Sequence, residues 1–161
     1  MRVYLIRHAS AGDPGTVADG ERALTADGLR EAQAAGRALR ALGARLRAIL
    51  CSPLLRACQT AQEIAAKLDP CPAVEIRDAL TAGASPRDYF EALRPWTSGE
   101  VAVVGHMPDL GRVAAVLMSG APEVSVVFKP SAVCCLEVDL DRESGSLVFF
   151  HGPDRLAELG R

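Results

Sequence analysis

The chain lacks the features that mark several large classes of protein. It has no uninterrupted apolar run of about 18 residues, which excludes a membrane-spanning helix. It has no excess of basic residues, because its formal net charge is -2, so we expect neither nucleic acid nor an acidic membrane surface as a partner. It also shows no internal repeat or low-complexity segment. Its 161 residues predict one domain, residues 1–161, that buries a substantial core.

The cysteines lack the CxxC spacing that is typical of zinc and thiol–disulfide sites. There are five of them, Cys51, Cys58, Cys71, Cys134 and Cys135. Three fall in segments predicted to be strands, where a free cysteine behaves as a small hydrophobic residue. The odd number and this placement indicate free structural thiols and a reducing compartment, which we expect to be the cytoplasm. No basic segment followed by an apolar one opens the sequence, so we expect no secretory signal.

Two continuous apolar runs each end in a histidine. Residues 3–8 are VYLIRH and residues 101–106 are VAVVGH, so the runs stop at His8 and His106. A run of four or five apolar residues is typical of a strand that is covered on both faces. In an open α/β sheet, ligands bind at the carboxyl ends of such strands. The two imidazoles, the first preceded by Arg7, are therefore predicted to meet at a site that binds an anion.

The remaining pattern alternates between helix and strand before it ends in strands alone. Helical spacing of apolar residues predicts helices at 27–42, 53–68 and 109–118, and one that begins at residue 86. Short apolar runs predict strands at 48–51, 74–76, 124–128, 132–140 and 147–151, with a turn at 141–145. This order predicts an α/β fold: a three-layer α/β/α sandwich with a mostly parallel, mixed central sheet and a late β-hairpin.

Serine–proline pairs are predicted to begin two of these helices. Ser52-Pro53 and Ser85-Pro86 each place an N-cap residue before a proline in the first turn. Asp88 follows Ser85 at the spacing of a capping box. Both helices are therefore predicted to start at these serines.

Basic side chains lie near the same strand ends as the two histidines. Arg56 stands one turn into the helix predicted to begin at Ser52-Pro53, and another predicted helix follows His106 at once. Helix N-termini favour anions, and the planar guanidinium fork matches phosphate oxygens. Taken alone, a histidine at a strand end is more often a polar residue whose hydrogen bonds are satisfied, and an arginine is more often a solvated charge. Because these residues converge from separate strands, they predict a phosphoryl site. His151 lies in the late hairpin without neighbouring candidate residues, and we interpret it as structural.

Three segments resemble the signatures of the histidine phosphatase superfamily (phosphoglycerate-mutase-like). They are Arg7-His8-Ala9, residues 52–61 (SPLLRACQTA) and residues 105–108 (GHMP). The short chain, residues 22–25 (RALT) and residues 80–83 (LTAG) resemble its small SixA-type branch, the phosphohistidine phosphatases. The similarity spans nearly the whole chain in the same order, although Ala9 replaces the glycine that is commonest after the Arg-His pair.

The resemblance implies a role for each matching residue. His8 would be the nucleophile and would form a covalent phosphohistidine intermediate, and a neutral imidazole can attack at neutral pH without a separate base. Arg7 and Arg56 would clamp the phosphoryl oxygens, and His106 would contact the same group. Arg22 matches a position that helps to hold the phosphate in this branch.

No residue stands out as the general acid. Larger relatives place a glutamate in the middle of the chain, where this sequence has DALTAG at residues 78–83. Asp13 and Asp78 are alternatives, although a carboxylate in such a place is more often a solvated loop or capping residue. The sequence also has no carboxylate cluster of the kind that binds Mg²⁺, so we expect no metal and no cofactor. A site without a placed acid favours a phosphorylated histidine, whose leaving group needs little protonation.

The predicted function is therefore hydrolysis of a phosphoryl group from a histidine of another protein, either a phosphotransfer domain or a phosphocarrier. A chain of this length leaves little room for segments that roof the site, so an open pocket is expected. Two alternatives remain: a phosphatase of the same superfamily for a small phosphomonoester, and a phosphate-binding module without catalysis. We expect the protein to act as a monomer.

Overall fold

One mixed sheet forms the centre of the molecule, for which a computed structural model describes residues 1–122 and 126–161. Its strands are β1 (Arg2–Arg7), β2 (Leu46–Cys51), β3 (Ala73–Ile76), β4 (Glu100–Gly105), β5 (Val133–Asp139) and β6 (Ser144–His151). The strand order is β3-β2-β4-β1-β5-β6. The first four of these are mutually parallel, whereas β5 runs antiparallel to β1 and β6 antiparallel to β5. The predicted mixed sheet and late hairpin are confirmed.

Helices cover both faces of this sheet. They are α1 (Ala26–Ala41), α2 (Leu55–Ala65), α3 (Pro86–Leu93), α4 (Asp109–Ser119) and α5 (Pro153–Leu159). Residues of α1, α2 and α5 share one buried cluster with Tyr4 and Ile6, and residues of α3 and α4 share the other with Val3 and Leu5. Alternate residues of β1 thus enter opposite cores, as expected for a central strand. The three-layer α/β/α prediction is confirmed.

The apolar runs of β1 and β4 lie side by side in register. Arg7 of β1 pairs with Gly105 of β4, and the His8 amide continues the ladder by donating to the Gly105 carbonyl at 3.0 Å. His8 and His106 therefore leave the sheet at the same level. None of the helices in the described residues is long and apolar enough to cross a membrane.

Helix starts follow the sequence signals in one case and depart from them in another. Ser85 caps α3, and Asp88 completes the predicted capping box. The helix predicted from Ser52-Pro53 to residue 68 is shorter: α2 begins at Leu55 and ends at Ala65, and its N-cap residue makes no side-chain cap bond. Ser52 is not the N-cap because its hydroxyl is turned toward another side chain, His106.

The strand predicted at residues 124–128 is wrong where the structure describes it. Residues 126–128 have no regular structure, and residues 124 and 125 lie outside the described part. Phe128 is nevertheless fully buried, and its carbonyl accepts a hydrogen bond from the Arg7 guanidinium at 2.7 Å. The apolar residues at 126–128 therefore belong to an anchored loop. The short helix α5 has no counterpart in the sequence-based prediction.

Gly28 in α1 is required by close packing of the helix against the chain that follows His8. A Cβ atom at this position would lie 1.9 Å from the Ser10 carbonyl oxygen. Ser10 cannot move freely, because its amide and hydroxyl both donate to the Glu31 carboxylate at 2.9 Å. We expect Gly28→Ala to lower the free energy of unfolding by about 3 kcal/mol, as overpacking of a rigid contact does.

Urea denaturation measures this effect, with Gly12→Ala as the control. A Cβ atom at Gly12 would meet only the Ala23 carbonyl oxygen, at 3.9 Å, so that variant should stay within about 0.5 kcal/mol of the parent. Equal stability of the two variants would contradict the packing argument.

Candidate active site

Two histidine rings face each other beyond the ends of β1 and β4. The ring centroids of His8 and His106 are 5.2 Å apart, and the rings are inclined by 54°. His106 is almost completely buried, at 3% exposure, whereas His8 keeps partial access to solvent. The structure therefore brings together two imidazoles that stand almost a hundred positions apart in sequence, as the in-register strands require.

The hydrogen bond of His8 fixes which ring nitrogen can react. Its Nδ1 lies 2.8 Å from the carbonyl oxygen of Ala9. A carbonyl only accepts, so Nδ1 carries the proton and donates it to Ala9. In the neutral ring, Nε2 then holds the free lone pair. This nitrogen is the one available to attack a phosphorus atom.

His106 is oriented by Ser52, which follows β2. The Ser52 hydroxyl lies 2.7 Å from Nε2 of His106, and both groups are buried. Nδ1 of His106 is buried and has no partner among the described residues. The same serine oxygen accepts from the Leu54 amide at 3.3 Å, and its own proton can be donated to the ring. In the tautomer in which Nε2 accepts from Ser52, Nδ1 of His106 carries a proton that it can donate to a bound group.

Besides burial, the charges of three arginines lower the pKa of His8. Arg7 comes from the last position of β1, Arg56 from the first turn of α2 and Arg22 from the loop before α1. Each shifts the His8 pKa through its charge. Arg56 is 4% exposed, and the Nε atoms of Arg7 and Arg56 are buried without a partner among the described residues. Unpaired buried donors are costly, so a cluster of them indicates a place where an anion binds.

Asp19 is the residue of this cluster that the sequence-based reasoning missed. Its carboxylate oxygens accept from Arg22 at 2.9 Å and from Arg56 at 3.1 Å. Hydrogen bonds from both arginines hold the pKa of the Asp19 carboxyl below its usual value. The only sequence signal for Asp19 is its place three residues before Arg22, within a polar loop without periodicity.

Two further side chains of the signature segment at residues 52–61, both on α2, make structural contacts near the site. Thr60 accepts from the Ala9 amide at 3.0 Å and donates to the Arg56 carbonyl at 2.7 Å. Gln59 accepts from the Leu24 amide at 2.8 Å. These contacts tie the loop after His8 to the helix that carries Arg56. The segment therefore sets the geometry between the proposed nucleophile and its arginine.

The other predicted residues lie apart from these contacts. Asp13 and Asp78, the two alternatives for a general acid, are exposed, Asp13 in the loop before α1 and Asp78 in a short turn after β3. His151 ends β6 and stacks on Phe149 at a centroid distance of 4.7 Å. Within residues 1–122 and 126–161, no three metal-ligating side chains are grouped closely enough to hold an ion.

Burial keeps both imidazoles neutral. It lowers the pKa of His8 to about 4, with the charges of Arg56, Arg7 and Arg22 acting in the same direction and the Ala9 hydrogen bond opposing them. It also lowers the pKa of His106 to about 3, assisted by the charges of His8 and Arg56. At neutral pH the Nε2 lone pair of His8 is therefore available, which is the state that a nucleophile needs.

We expect both rings to stay neutral in the free protein as the pH falls from about 8 to about 5, with His8 titrating near pH 4. Unfolded histidine has a pKa of ~6.5, so below that pH the unfolded chain binds protons that the folded chain does not. The contribution of these histidines to the free energy of unfolding should therefore be fully present above about pH 6.5, and it should decrease as the pH falls toward about 4. Ring-carbon NMR titration measures the pKa directly, and a His8 resonance with its midpoint near pH 6.5 would contradict the burial argument.

Comparison with known proteins places this geometry in a family. The model of the histidine phosphatase superfamily (branch 1) matches residues 3–81. The chain is 30% identical over 152 residues to the phosphohistidine phosphatase SixA of Escherichia coli, covering 92% of this chain and 91% of SixA. It is 36% identical over 129 residues to an uncharacterised protein of Picosynechococcus, covering 74% of each.

A solved structure agrees with the sequence relatives. The structure of the protein histidine phosphatase SixA complexed with tungstate superposes with a TM-score of 0.87 at 27% identity, covering 97% of this chain and 99% of SixA. The chain therefore belongs to the histidine phosphatase superfamily, and this membership supports a phosphatase-type hydrolase.

Proposed function

We propose that the protein removes a phosphoryl group from a histidine side chain of another protein, by way of a covalent phosphohistidine at His8. The observation that supports this most strongly is the His8 ring itself. Its Nδ1–H is committed to the Ala9 carbonyl, which leaves the Nε2 lone pair free. The ring lies 5.2 Å from that of His106, and the charges of three arginines act on it. Similarity to SixA over 92% of the chain supports the same substrate class.

The first step transfers the phosphoryl group to His8. The Nε2 lone pair forms a bond to phosphorus. The substrate phosphohistidine is protonated on its other ring nitrogen, so the bond between phosphorus and that ring breaks with its electron pair going to the ring, which leaves as neutral imidazole. Negative charge is spread over the phosphoryl oxygens during transfer. Arg7, Arg56 and the Nδ1–H of His106 would compensate this charge, and Arg22 would add to it. We propose that these groups do so without a metal ion.

The second step releases phosphate. Water attacks phosphorus, the bond to Nε2 of His8 breaks, and the lone pair returns to the ring while the water proton leaves with solvent or phosphate. The same donors remain in place for both steps, because none of them is consumed. Positioning and charge compensation supply most of the catalysis in phosphoryl transfer.

The leaving group explains why a phosphohistidine suits this site. The conjugate acid of an alkoxide has a pKa near ~16, comparable to water. A protonated phosphohistidine instead expels imidazole, whose conjugate acid has a pKa of ~6.5. At about 1.4 kcal/mol per pKa unit the difference approaches ~12 kcal/mol, an upper bound on what a general acid must offset. Asp19 is held ionised by its arginines and is unsuited to supply that proton. Asp13 and Asp78 stay proposals for this role.

The substrate test compares turnover on a phosphorylated histidine phosphocarrier with turnover on phosphoserine and a sugar phosphate. We expect faster hydrolysis of the phosphohistidine, with His8 carrying an acid-labile label from the phosphodonor. Faster hydrolysis of the alkyl esters would instead favour a phosphatase for a small molecule. Saturable phosphate binding without any label would favour a binding module.

The compartment and the oligomeric state form part of the same proposal. All five cysteines are free thiols, which supports a reducing compartment such as the cytoplasm. We propose a monomer that presents its site to a partner protein.

A further inference from the structure

Asp19 makes three contacts with the two arginines at the rim of the site. Its carboxylate bridges Arg22 and Arg56, one oxygen to each guanidinium, and its backbone carbonyl accepts a second hydrogen bond from Arg56 at 2.7 Å. The turn that carries it, Asp19–Glu21, packs against α2. One residue therefore determines how two of the proposed phosphate ligands stand relative to each other.

Electrostatics explains why a carboxylate is suited to this place. The Arg56 side chain is 5% exposed and that of Arg22 is 17% exposed, and two like charges held close together repel one another with little screening. A buried guanidinium also needs a partner to offset its desolvation. The Asp19 carboxylate meets both requirements, while its own side chain is 60% exposed and remains solvated.

The hydrogen-bond pattern leaves donors free for an anion. Asp19 accepts hydrogen bonds from Nη1 and Nη2 of Arg56, and Nε of the same side chain is buried without a partner among the described residues. Arg22 donates through Nε to the Gly12 carbonyl and through Nη1 to Asp19. Both guanidiniums are thus fixed through one part of the fork, and each retains N–H groups that these contacts do not use.

The charges also fit the proposed substrate. Arg7, Arg22 and Arg56 act on neutral His8, and Asp19 offsets one of their three positive charges. The remaining two positive charges match a phosphoryl dianion. Without Asp19, the arginines would hold one further charge and would lose the bridge that sets their spacing.

We propose that Asp19 is a positioning residue, which holds Arg22 and Arg56 as a pair so that both can bind the phosphoryl group of the substrate. This inference rests on the proposed function. It differs from a competing model in which Asp19 occupies the arginines and must be displaced by the incoming phosphate, and the two models predict opposite changes in anion affinity.

Calorimetric titration with tungstate, an analogue of the phosphoryl dianion, separates them. Asp19→Asn keeps the shape of the side chain and removes its charge. We expect it to weaken tungstate binding roughly tenfold, the low end of what loss of a charge-assisted hydrogen bond costs, and to raise KM for the phosphohistidine protein more than it lowers kcat. Asp19→Glu should restore most of the affinity.

Two further variants show that the effect acts through the arginines. Asp27→Asn removes another aspartate paired with an arginine three residues on, Arg30, but on an exposed surface, and should leave tungstate affinity unchanged. In an Arg22→Gln background, Asp19→Asn should weaken binding clearly less than in the parent, because one of its two partners is already gone.

Three results would overturn the inference. Tighter tungstate binding by Asp19→Asn would show that the carboxylate competes with the anion. Unchanged affinity together with a lowered melting temperature would show that Asp19 only stabilises its loop. If the parent protein itself binds no tungstate and forms no phosphohistidine, the proposed function fails together with the inference.

Discussion

Replacing His8 by alanine is expected to reduce turnover of a phosphohistidine protein by at least about 10³-fold, because loss of a nucleophile removes the covalent route entirely. The reason lies in the ring geometry. Nδ1 is held by the Ala9 carbonyl, and His106 offers its Nε2 to Ser52 rather than to the substrate. The second imidazole is therefore not oriented to replace the first.

Covalent labelling gives the sharper readout for this variant. Parent protein incubated with a labelled phosphodonor should carry an acid-labile label on His8, and His8→Ala should carry none. His151→Asn is the matched control, because that ring lies on β6 and stacks on Phe149. A label that persists in His8→Ala would show that a different residue is the nucleophile.

The second large effect is expected at Arg56. Arg56→Gln should lower kcat/KM by roughly 10²- to 10³-fold, the range seen when one preorganised donor to a developing charge is removed. Arg56→Lys keeps the charge but not the planar fork, so it should recover only part of the activity. The side chain is 4% exposed and sits at the start of α2, where it also anchors Asp19.

Folding and catalysis must be separated for a residue this buried. Thermal unfolding of each variant gives the loss of stability, and Arg37→Gln serves as the control. Arg37 also donates to a backbone carbonyl, that of Gly160 at 2.9 Å, but it belongs to α1 and connects that helix to the end of the chain. If Arg56→Lys is folded and turns over substrate as fast as the parent, the guanidinium fork has no role in binding the phosphoryl group.

The sequence predicted the parts of this molecule that depend on short-range pattern. Two buried runs that end in His8 and His106 were recognisable because strands covered on both faces are continuously apolar. Parallel pairing of the two strands was expected to bring their carboxyl ends together, and the register of Arg7 with Gly105 confirms this pairing. Ser85 and Asp88 were equally recognisable, because a capping box is complete within four residues.

The parts that could not be predicted depend on contacts between distant segments. Ser52 has the local signature of an N-cap, but a buried hydrogen bond to His106, 54 positions away, determines its orientation. Asp19 lies in a loop with no periodic pattern, and its bridge to Arg56 exists only because that loop folds over α2. The apolar side chain of Phe128 led to the prediction of a strand. In the structure Phe128 lies in an irregular segment, which is fixed by burial of that side chain and by the hydrogen bond from Arg7 to its carbonyl.

A crystal structure of the protein with tungstate tests whether the two histidines bind one anion between them. We expect one ion between the rings of His8 and His106, close to Nε2 of the first and Nδ1 of the second, and within hydrogen-bond distance of Arg7 and Arg56. An ion bound elsewhere, or rings that turn to face separate cavities, would contradict it.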